Sequence, residues 1–335
     1  MADDRTRPLD APPVAAADSR QLQPGDAIGP WVVRRAIGAG GFGAVYEVRH
    51  AERDAPAACK LLHAHLVRAP AVVARFEREA AVIGRVRHAS VVELIDAGLA
   101  ADGRPYLCTE LLDGEDVGAR VARGGALASD EALAILEPVC AALSAAHAAG
   151  VIHRDVKPAN VIVCRPAAPG APARVVLVDF GIAKLTDAFA AELTASRQRV
   201  GTPSCMAPEQ VSGRAVDART DVYGLGALAF FLLTGRAPFE DPSLTMTQYL
   251  HLHARRPRVS AAAPVSPRLD DVIARALSRD PAARPHTAGL FARELRAALL
   301  AAAPVAKPEG ARWVAHTVLP SRGAAVPRTR GVVFQ

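Results

Sequence analysis

The pattern of hydrophobic residues changes once along this chain, near residues 111–114, and that change sets the class of fold. From residue 31 to about residue 110, short β-branched pieces such as WVVRRAIG and PYLCTELL alternate with turns, as strands do. One amphipathic helix, over residues 71–86, interrupts them. Beyond residue 113, helices are predicted over residues 129–147, 217–234, 243–255, 267–279 and 287–301. The sequence therefore predicts an α+β fold with a small β-rich half, a larger helical half and a cleft between them.

The most specific motif is the run HRDVKPAN over residues 153–160, between the first long helix and the strand-like VIVC. Phosphoryl transfer to a hydroxyl needs a carboxylate to accept the proton, a cation near the transferred phosphate and oxygen ligands for magnesium. Asp155, Lys157 and Asn160 supply these groups from one loop. The run therefore favours phosphoryl-transfer chemistry.

Two further triplets follow in a fixed order. Asp179 opens Asp-Phe-Gly after an apolar strand over residues 175–178, and its carboxylate is a second candidate metal ligand. Ala-Pro-Glu ends at Glu209. Each triplet alone is a weak signal, but together they bracket a segment that can switch between order and disorder.

A glycine-rich run, GAGGFGAV, begins at Gly38 between two strand-like pieces. Glycines at this spacing let backbone amides approach phosphate oxygens, although a purely structural hairpin fits the run equally well. Its strand–loop–strand setting argues against a dinucleotide fold, which needs a helix after the loop. Lys60, on a following strand, would contact phosphates if Glu79 on the amphipathic helix pairs with it. Taken singly, either residue also fits a surface salt bridge.

These motifs, in this order over roughly residues 26–300, resemble the bacterial eukaryotic-like, or Hanks-type, serine/threonine protein kinases. The resemblance implies a bilobal protein-kinase fold, with ATP bound between the lobes. It covers an N-lobe over about 26–112 and a C-lobe over about 113–300. Composition predicts a flexible leader over residues 1–25 and a basic, disordered tail over 301–335. ATP and Mg²⁺, with Mn²⁺ as an alternative ion, are the implied cofactors, and proteins are the implied substrates.

The resemblance also assigns site residues, with adenine held by the hinge backbone over residues 110–112 and Thr109 as gatekeeper. The implied catalytic residues are Asp155, Lys157, Lys60 and Glu79. The implied nucleotide-binding residues are Gly38, Gly40, Gly43, Val45, Lys60, Glu110 and Leu112. The implied metal ligands are Asn160 and Asp179.

The family pattern implies three supporting contacts within the domain. His153 and Phe180, with Ile83 and Leu94, would form a stack of side chains joining the lobes. The other two are a buried carboxylate, Asp221, that ties down the catalytic loop, and an ion pair between Glu209 and Arg284.

Regulation is implied by Arg154, because an arginine before the catalytic aspartate marks relatives that are activated by phosphate on the bracketed segment. Thr194 and Ser196 are the predicted phosphosites. Lys157 and Thr202 favour serine/threonine over tyrosine acceptors. Cys205 departs from the family, which often carries an aromatic residue there.

Composition limits the partners. The net charge is +6, and much of the excess lies in the tail, with five basic residues against Glu309. We interpret this as a solvated extension, so no nucleic-acid partner is expected. Five scattered cysteines indicate a reducing compartment, and neither a signal peptide nor a membrane span is apparent. The expected location is the cytoplasm, for either a soluble member or a fragment of a longer relative.

Two other functions compete with an active protein kinase. A pseudokinase scaffold would share the fold but lose part of the machinery, whereas Lys60, Glu79, Asp155, Asn160 and Asp179 are all present. A small-molecule kinase of the aminoglycoside type shares the aspartate and the metal ligands. It usually lacks the Gly-Thr-Pro and Ala-Pro-Glu segment that this chain has.

Overall fold

The computed structural model describes residues 21–180 and 203–300, and the change of pattern divides them into two lobes. The strands are β1 (Ala27–Ile28), β2 (Trp31–Ala39), β3 (Gly43–His50), β4 (Pro56–Leu62), β5 (Leu94–Leu99), β6 (Pro105–Thr109), β7 (Gly114–Asp116), β8 (Val161–Cys164) and β9 (Val175–Leu177). The α-helices of these residues are α1 (Pro70–Ile83), α2 (Val117–Gly124), α3 (Ser129–Ala148), α4 (Pro208–Val211), α5 (Ala218–Thr234), α6 (Leu244–His253), α7 (Pro267–Ala276) and α8 (Ala288–Leu300). The predicted bilobal fold is confirmed.

The N-lobe is an antiparallel sheet with strand order β1-β2-β3-β4-β6-β5, and α1 packs against β5 and β6. Successive side chains of a strand point to opposite faces. On β4, Cys59 and Leu61 join Trp31 in a core cluster on one face. Lys60 lies between them in sequence and therefore points to the other face, toward the cleft.

Helix α1 is shorter than predicted at its C-terminal end. It begins at Pro70 and ends at Ile83, where Gly84 follows as its C-cap. Val86, which we predicted to lie within the helix, is buried just beyond it. Glu79 is buried on the apolar face of the helix beside Phe76, so a carboxylate lies on the side that packs on the lobe.

The C-lobe is built around α5, which is apolar on nearly all sides because other elements surround it. Helices α3, α7 and α8 pack against it. A Cβ at Gly224 would lie 2.8 Å from the Cβ of Val156, so only glycine leaves room for the loop that follows α3. The loop carrying the HRD run therefore rests directly on the central helix.

A buried ion pair, Glu209 with Arg284, joins α4 to the segment after α7, as predicted. The two guanidinium nitrogens of Arg284 donate to the two carboxylate oxygens of Glu209, each over 2.7 Å. Both residues are 2% exposed, and the Thr220 hydroxyl donates to Glu209 Oε1 over 2.8 Å. Burial opposes ionisation of Glu209, but the hydrogen bonds and charge of Arg284 hold its pKa below the ordinary value.

Parts of the predicted organisation lie outside the described residues, namely most of the leader and the tail. The domain boundaries stay predictions. Among the described residues, one helix, α3, is long and apolar enough to cross a membrane, with a mean hydropathy of 1.3 over its most apolar window. Half of that window is buried inside the protein.

We predict that Glu209→Ala lowers the free energy of unfolding by about 3–5 kcal/mol, because Arg284 would stay buried without its partner. The matched control is Glu294→Ala, which breaks a partly exposed pair with Arg275 and should cost no more than about 1 kcal/mol. Thermal and urea melts of the three proteins measure the difference.

The effect should depend on pH in a defined direction. A carboxyl whose pKa is depressed by folding stabilises above its unfolded pKa and loses that contribution as the pH falls through its folded pKa. The gap between wild type and Glu209→Ala should therefore be constant near neutral pH and shrink below about pH 4.5. Equal melts for Glu209→Ala and wild type at pH 7 would show that the pair does not stabilise the lobe.

Candidate active site

A cavity of about 430 Å³ lies between the two lobes. Val45, Ala58 and Leu107 line it from the N-lobe sheet, and Ile162 and Val178 line it from the C-lobe. The connecting segment over residues 109–112 also lines it. A cavity of this size, lined by apolar side chains and by charged residues such as Arg35, Lys60 and Asp116, has the dimensions of a site for a small organic ligand.

The predicted nucleotide-binding residues divide into two groups. Val45, Lys60, Glu110 and Leu112 line the cavity. Gly38, Gly40 and Gly43 are absent from the lining and form the hairpin between β2 and β3 instead. The structure thus gives these glycines a hairpin position, and their contact with phosphate stays a prediction.

Glycine is required at position 43 because β3 pairs closely with β4 there. A Cβ there would lie 2.3 Å from the carbonyl oxygen of Leu61, which is backbone and cannot move aside. A Cβ at Gly40 would lie 4.0 Å from the Gly43 carbonyl oxygen, an ordinary contact, and the Gly40 amide donates to that carbonyl over 2.8 Å to close the turn. One glycine of the motif is therefore explained by strand pairing.

At the hinge, the Glu110 side chain is engaged by neighbours in the protein. Arg174 donates to its two carboxylate oxygens over 2.6 and 2.8 Å, and the Glu93 amide donates to Oε1 over 3.0 Å. The bonds from Arg174 lower the pKa of Glu110, against the effect of burial. The Glu110 amide donates to the Glu93 carbonyl over 3.0 Å. The Glu110 carbonyl accepts from the Thr109 hydroxyl over a long 3.4 Å and has a second lone pair, so a ligand here can use that carbonyl and the backbone of residues 111–112.

Lys60, Glu79 and Asp179 form a charged cluster in the lining of the cavity. The Lys60 ammonium donates to Glu79 Oε1 over 2.8 Å and to Asp179 Oδ1 over 3.4 Å. Burial favours the neutral amine, but the charges of Asp179 and Glu79 raise the pKa of Lys60 above its ordinary value. Burial raises the pKa of Glu79, opposed by the charge of Lys60. The cluster links α1, β4 and the segment after β9.

The loop over residues 151–160 brings together the three residues that the HRD run predicts. Lys157 Nζ donates to Asp155 Oδ2 over 2.7 Å. Asn160 Nδ2 donates to the Asp155 carbonyl over 2.8 Å and to Asp155 Oδ2 over 3.1 Å. Asp155 is therefore held at its backbone and at one carboxylate oxygen.

Asp221, on α5, anchors this loop through hydrogen bonds to its backbone, as predicted. Its buried carboxylate accepts from the amide of His153 over 2.8 Å and from the amide of Arg154 over 2.7 Å. His147 Nε2 lies 2.7 Å from Asp221 Oδ2. Three contacts satisfy a carboxylate that would otherwise be costly to bury.

His153 is a neutral imidazole whose tautomer follows from its partners. Its Nε2 lies 3.1 Å from the Val178 carbonyl, which only accepts, and its Nδ1 accepts from the Asp155 amide over 3.2 Å. Burial lowers the pKa of His153, which agrees with the neutral form. The ring lies 4.6 Å from the Phe180 ring. Ile83 is buried in the same core cluster as Phe180, and Leu94 packs against that cluster. The stack of these four side chains stays a prediction.

Arg154 and Asp179 are two of the three described non-glycine residues with positive φ, at 66° and 53°. Such strain persists only where surrounding contacts fix it. Gln210 contributes one such contact, because its side-chain amide donates to the Arg154 carbonyl over 2.8 Å. We did not predict this role for Gln210, since its sequence position next to Glu209 gave no signal of that distant contact.

The chemistry of the predicted metal ligands fits a hard divalent cation. The Asn160 amide nitrogen is used by Asp155, which leaves its oxygen as the group to offer. The Asp179 side chain is 58% exposed and carries carboxylate oxygens, the ligand type that Mg²⁺ prefers. The predicted phosphosites, Thr194 and Ser196, lie outside the described residues, as does Thr202.

Comparison with known proteins agrees with this geometry. The family model for the protein kinase domain matches residues 31–295. This chain belongs to the protein kinase family. It is 43% identical over 266 residues to the serine/threonine-protein kinase Pkn1 of Myxococcus xanthus, covering 79% of this chain and 38% of Pkn1. It is 38% identical over 287 residues to PknE of Mycobacterium tuberculosis, covering 85% of this chain and 48% of PknE.

A solved structure extends the likeness to three dimensions. The kinase domain of M. tuberculosis PknI superposes with a TM-score of 0.66 at 31% identity, over 83% of this chain and 99% of that domain. The predicted membership of the bacterial Hanks-type serine/threonine kinases is confirmed. The chain spans less than half the length of Pkn1 and PknE, so the match covers the kinase domain of this family.

Proposed function

We propose that this kinase domain transfers the γ-phosphoryl group of ATP to serine and threonine hydroxyls of proteins. The observation that carries the proposal is the arrangement around Asp155, where Lys157 and Asn160 contact one carboxylate oxygen. A carboxylate oriented by two donors is suited to accept the proton of an attacking hydroxyl. Lys157, whose Nζ lies 2.7 Å from Asp155 Oδ2, would supply the cation beside the transferred phosphate.

The other residues of the cleft would bind and orient ATP. Lys60, held by Glu79, would contact the α- and β-phosphates, and the hinge backbone would hold the adenine. Asn160 and Asp179 would hold Mg²⁺, or Mn²⁺ in its place, through oxygen atoms. When bound, the ion neutralises the negative charge of the phosphates.

The competing functions are less well supported. A scaffold without catalysis needs none of the contacts among Lys60, Glu79 and Asp179, which are all present. Glu209 is the last residue of Ala-Pro-Glu, and its buried ion pair would support the segment where a protein substrate docks. A small-molecule kinase does not need such a segment. Protein acceptors are therefore the favoured substrate class.

We predict that Asp155→Asn lowers phosphoryl transfer by about 10²–10⁴-fold while the melting temperature stays close to that of wild type. Asp179→Asn should behave alike, and Lys60→Met should lose transfer to the same extent, because these residues hold metal or phosphates rather than fill the core. Lys60→Met also leaves the buried Glu79 carboxylate without its cation, so the protein should stay folded with a lower melting temperature. The assay is ³²P transfer from Mg·ATP to casein. Asp271→Asn, an exposed aspartate on α7, is the matched control and should be fully active. Near-normal transfer by Asp155→Asn would refute the assignment.

We further propose that the domain is activated by autophosphorylation between the DFG and APE motifs. Arg154 Nη1 is buried without a hydrogen-bond partner among the described residues. Burial and the nearby charge of Arg78 lower the pKa of Arg154, partly offset by Asp221. A phosphate on Thr194 or Ser196 would bring nearly two negative charges to these guanidinium groups and order the segment.

We predict that protein incubated with Mg·ATP carries phosphate on Thr194 or Ser196, and that Asp155→Asn protein does not. The double variant Thr194→Ala/Ser196→Ala should lose about tenfold or more of its activity toward an added substrate, since Arg154 would lack its phosphate. Thr186→Ala, in the same segment, is the control. Mass spectrometry and steady-state assays provide the two readouts. Full activity in the double variant would rule out this activation mechanism and leave the kinase assignment intact.

The location that fits this function is the cytoplasm, where ATP is available and thiols stay reduced. In the part of the chain that the structure describes, no two cysteines form a disulfide, and four of the five cysteines are buried. We interpret α3 as a core helix rather than a membrane span, since it packs on α5 and α8 and contributes nine buried side chains.

A further inference from the structure

The tip of the glycine-rich hairpin, residues 40–43, is held by a residue outside the known motifs. Three of its four residues are glycines, which have the largest conformational freedom to lose on ordering. Within the hairpin, one backbone bond closes the turn, from the Gly40 amide to the Gly43 carbonyl over 2.8 Å. The tip therefore needs an external contact to keep one position.

His63 supplies that contact. The pairing of β3 with β4 sets Gly43 opposite Leu62, so the next residue of each strand, Phe42 and His63, also face each other. The His63 amide donates to the Phe42 carbonyl over 3.0 Å. Its ring nitrogen Nε2 lies 2.9 Å from the Gly40 carbonyl oxygen. One residue thus binds two carbonyl groups of the tip.

The partners determine which ring nitrogen carries the proton. A carbonyl oxygen only accepts, so Nε2 of His63 must be the donor. The amide bond to Phe42 fixes the backbone of His63 beside the tip, so its side chain needs little extra ordering to reach Gly40. On the other side of the tip, the Arg75 guanidinium lies 5.3 Å from the centre of the Phe42 ring. The hairpin tip is thus held between the end of β4 and α1.

We propose that His63 is a positioning residue that holds the tip of the hairpin in place for the phosphates of bound ATP. The proposal rests on the proposed function, since it needs a nucleotide in the cleft. Without the tether, nucleotide binding would have to order the glycines itself, and part of the binding free energy would be lost. The effect should fall on the affinity for the phosphate end of the ligand and leave adenine binding unchanged.

Three variants test the tether. His63→Leu removes the donor, and His63→Gln keeps an N–H that reaches a similar distance. His65→Leu is the matched control, because His65 lies in the same segment, stacks on His63 with ring centres 5.5 Å apart and makes neither carbonyl contact. The readouts are KM and kcat for ATP, calorimetric Kd values for a non-hydrolysable ATP analogue and for adenosine, and melting temperatures.

We expect His63→Leu to raise KM and the Kd of the ATP analogue by about two- to tenfold, the size of one hydrogen bond, with kcat and adenosine affinity close to wild type. His63→Gln should restore most of the lost affinity, because glutamine keeps an N–H donor. If a charge on the imidazole were responsible, the neutral glutamine would not restore the affinity. His65→Leu should match wild type. The tether is refuted if His63→Leu binds the analogue as wild type does, if His65→Leu loses as much affinity, or if the loss falls equally on adenosine.

These outcomes separate the tether from the proposed function. If wild-type protein transfers no phosphate, the proposed function fails, whereas the Kd values still decide the role of His63. If wild type is active and the analogue affinities of wild type and His63→Leu are equal, only the tether fails.

Discussion

The buried carboxylate of Asp221 is the contact on which the rest of the site depends. This carboxylate, on α5 of the C-lobe, accepts hydrogen bonds from the consecutive amides of His153 and Arg154. Asp221 is 1% exposed. A buried carboxylate is costly unless donors satisfy it, so the loop and the helix that carries Asp221 stabilise each other. Gly224, one turn along that helix, lets the loop come close enough for this contact.

Contacts that begin at Asp221 connect the two lobes. The anchored loop holds Asp155 beside Lys157, and the His153 ring contacts Val178 and Phe180. The strand that ends at Leu177 leads into Asp179, which reaches Lys60 in the opposite lobe. Because Lys60 also contacts Glu79, helix α1 is connected to Asp179 by ion pairs, and the segment that carries Asp179 is connected to the catalytic loop by His153. The two lobes therefore meet in one connected network.

The sequence predicted the parts of this site that lie within short motifs or follow from hydrophobic periodicity. The two lobes and the loop around Asp155 were predictable for that reason. The Glu209–Arg284 pair and the contact of Asp221 with the catalytic loop join distant segments, and they were predicted only through the family resemblance. Distant contacts outside the family motifs were not predicted, because they depend on how elements pack. The bond from Gln210 to Arg154, the engagement of Glu110 by Arg174 and the contact of His63 with Gly40 are of this kind. The early end of α1 had a local signal, Gly84, which is typical of a helix terminus.

Amide hydrogen exchange in Asp221→Asn tests the central role of Asp221 most directly. An asparagine offers one oxygen where Asp221 has two, and it sets its own N–H groups against the backbone donors. We expect the amides of His153 and Arg154 to lose protection relative to those of α8, and kcat to fall about tenfold or more with a smaller change in KM for ATP. Unchanged protection of those two amides, together with wild-type kcat, would contradict the account.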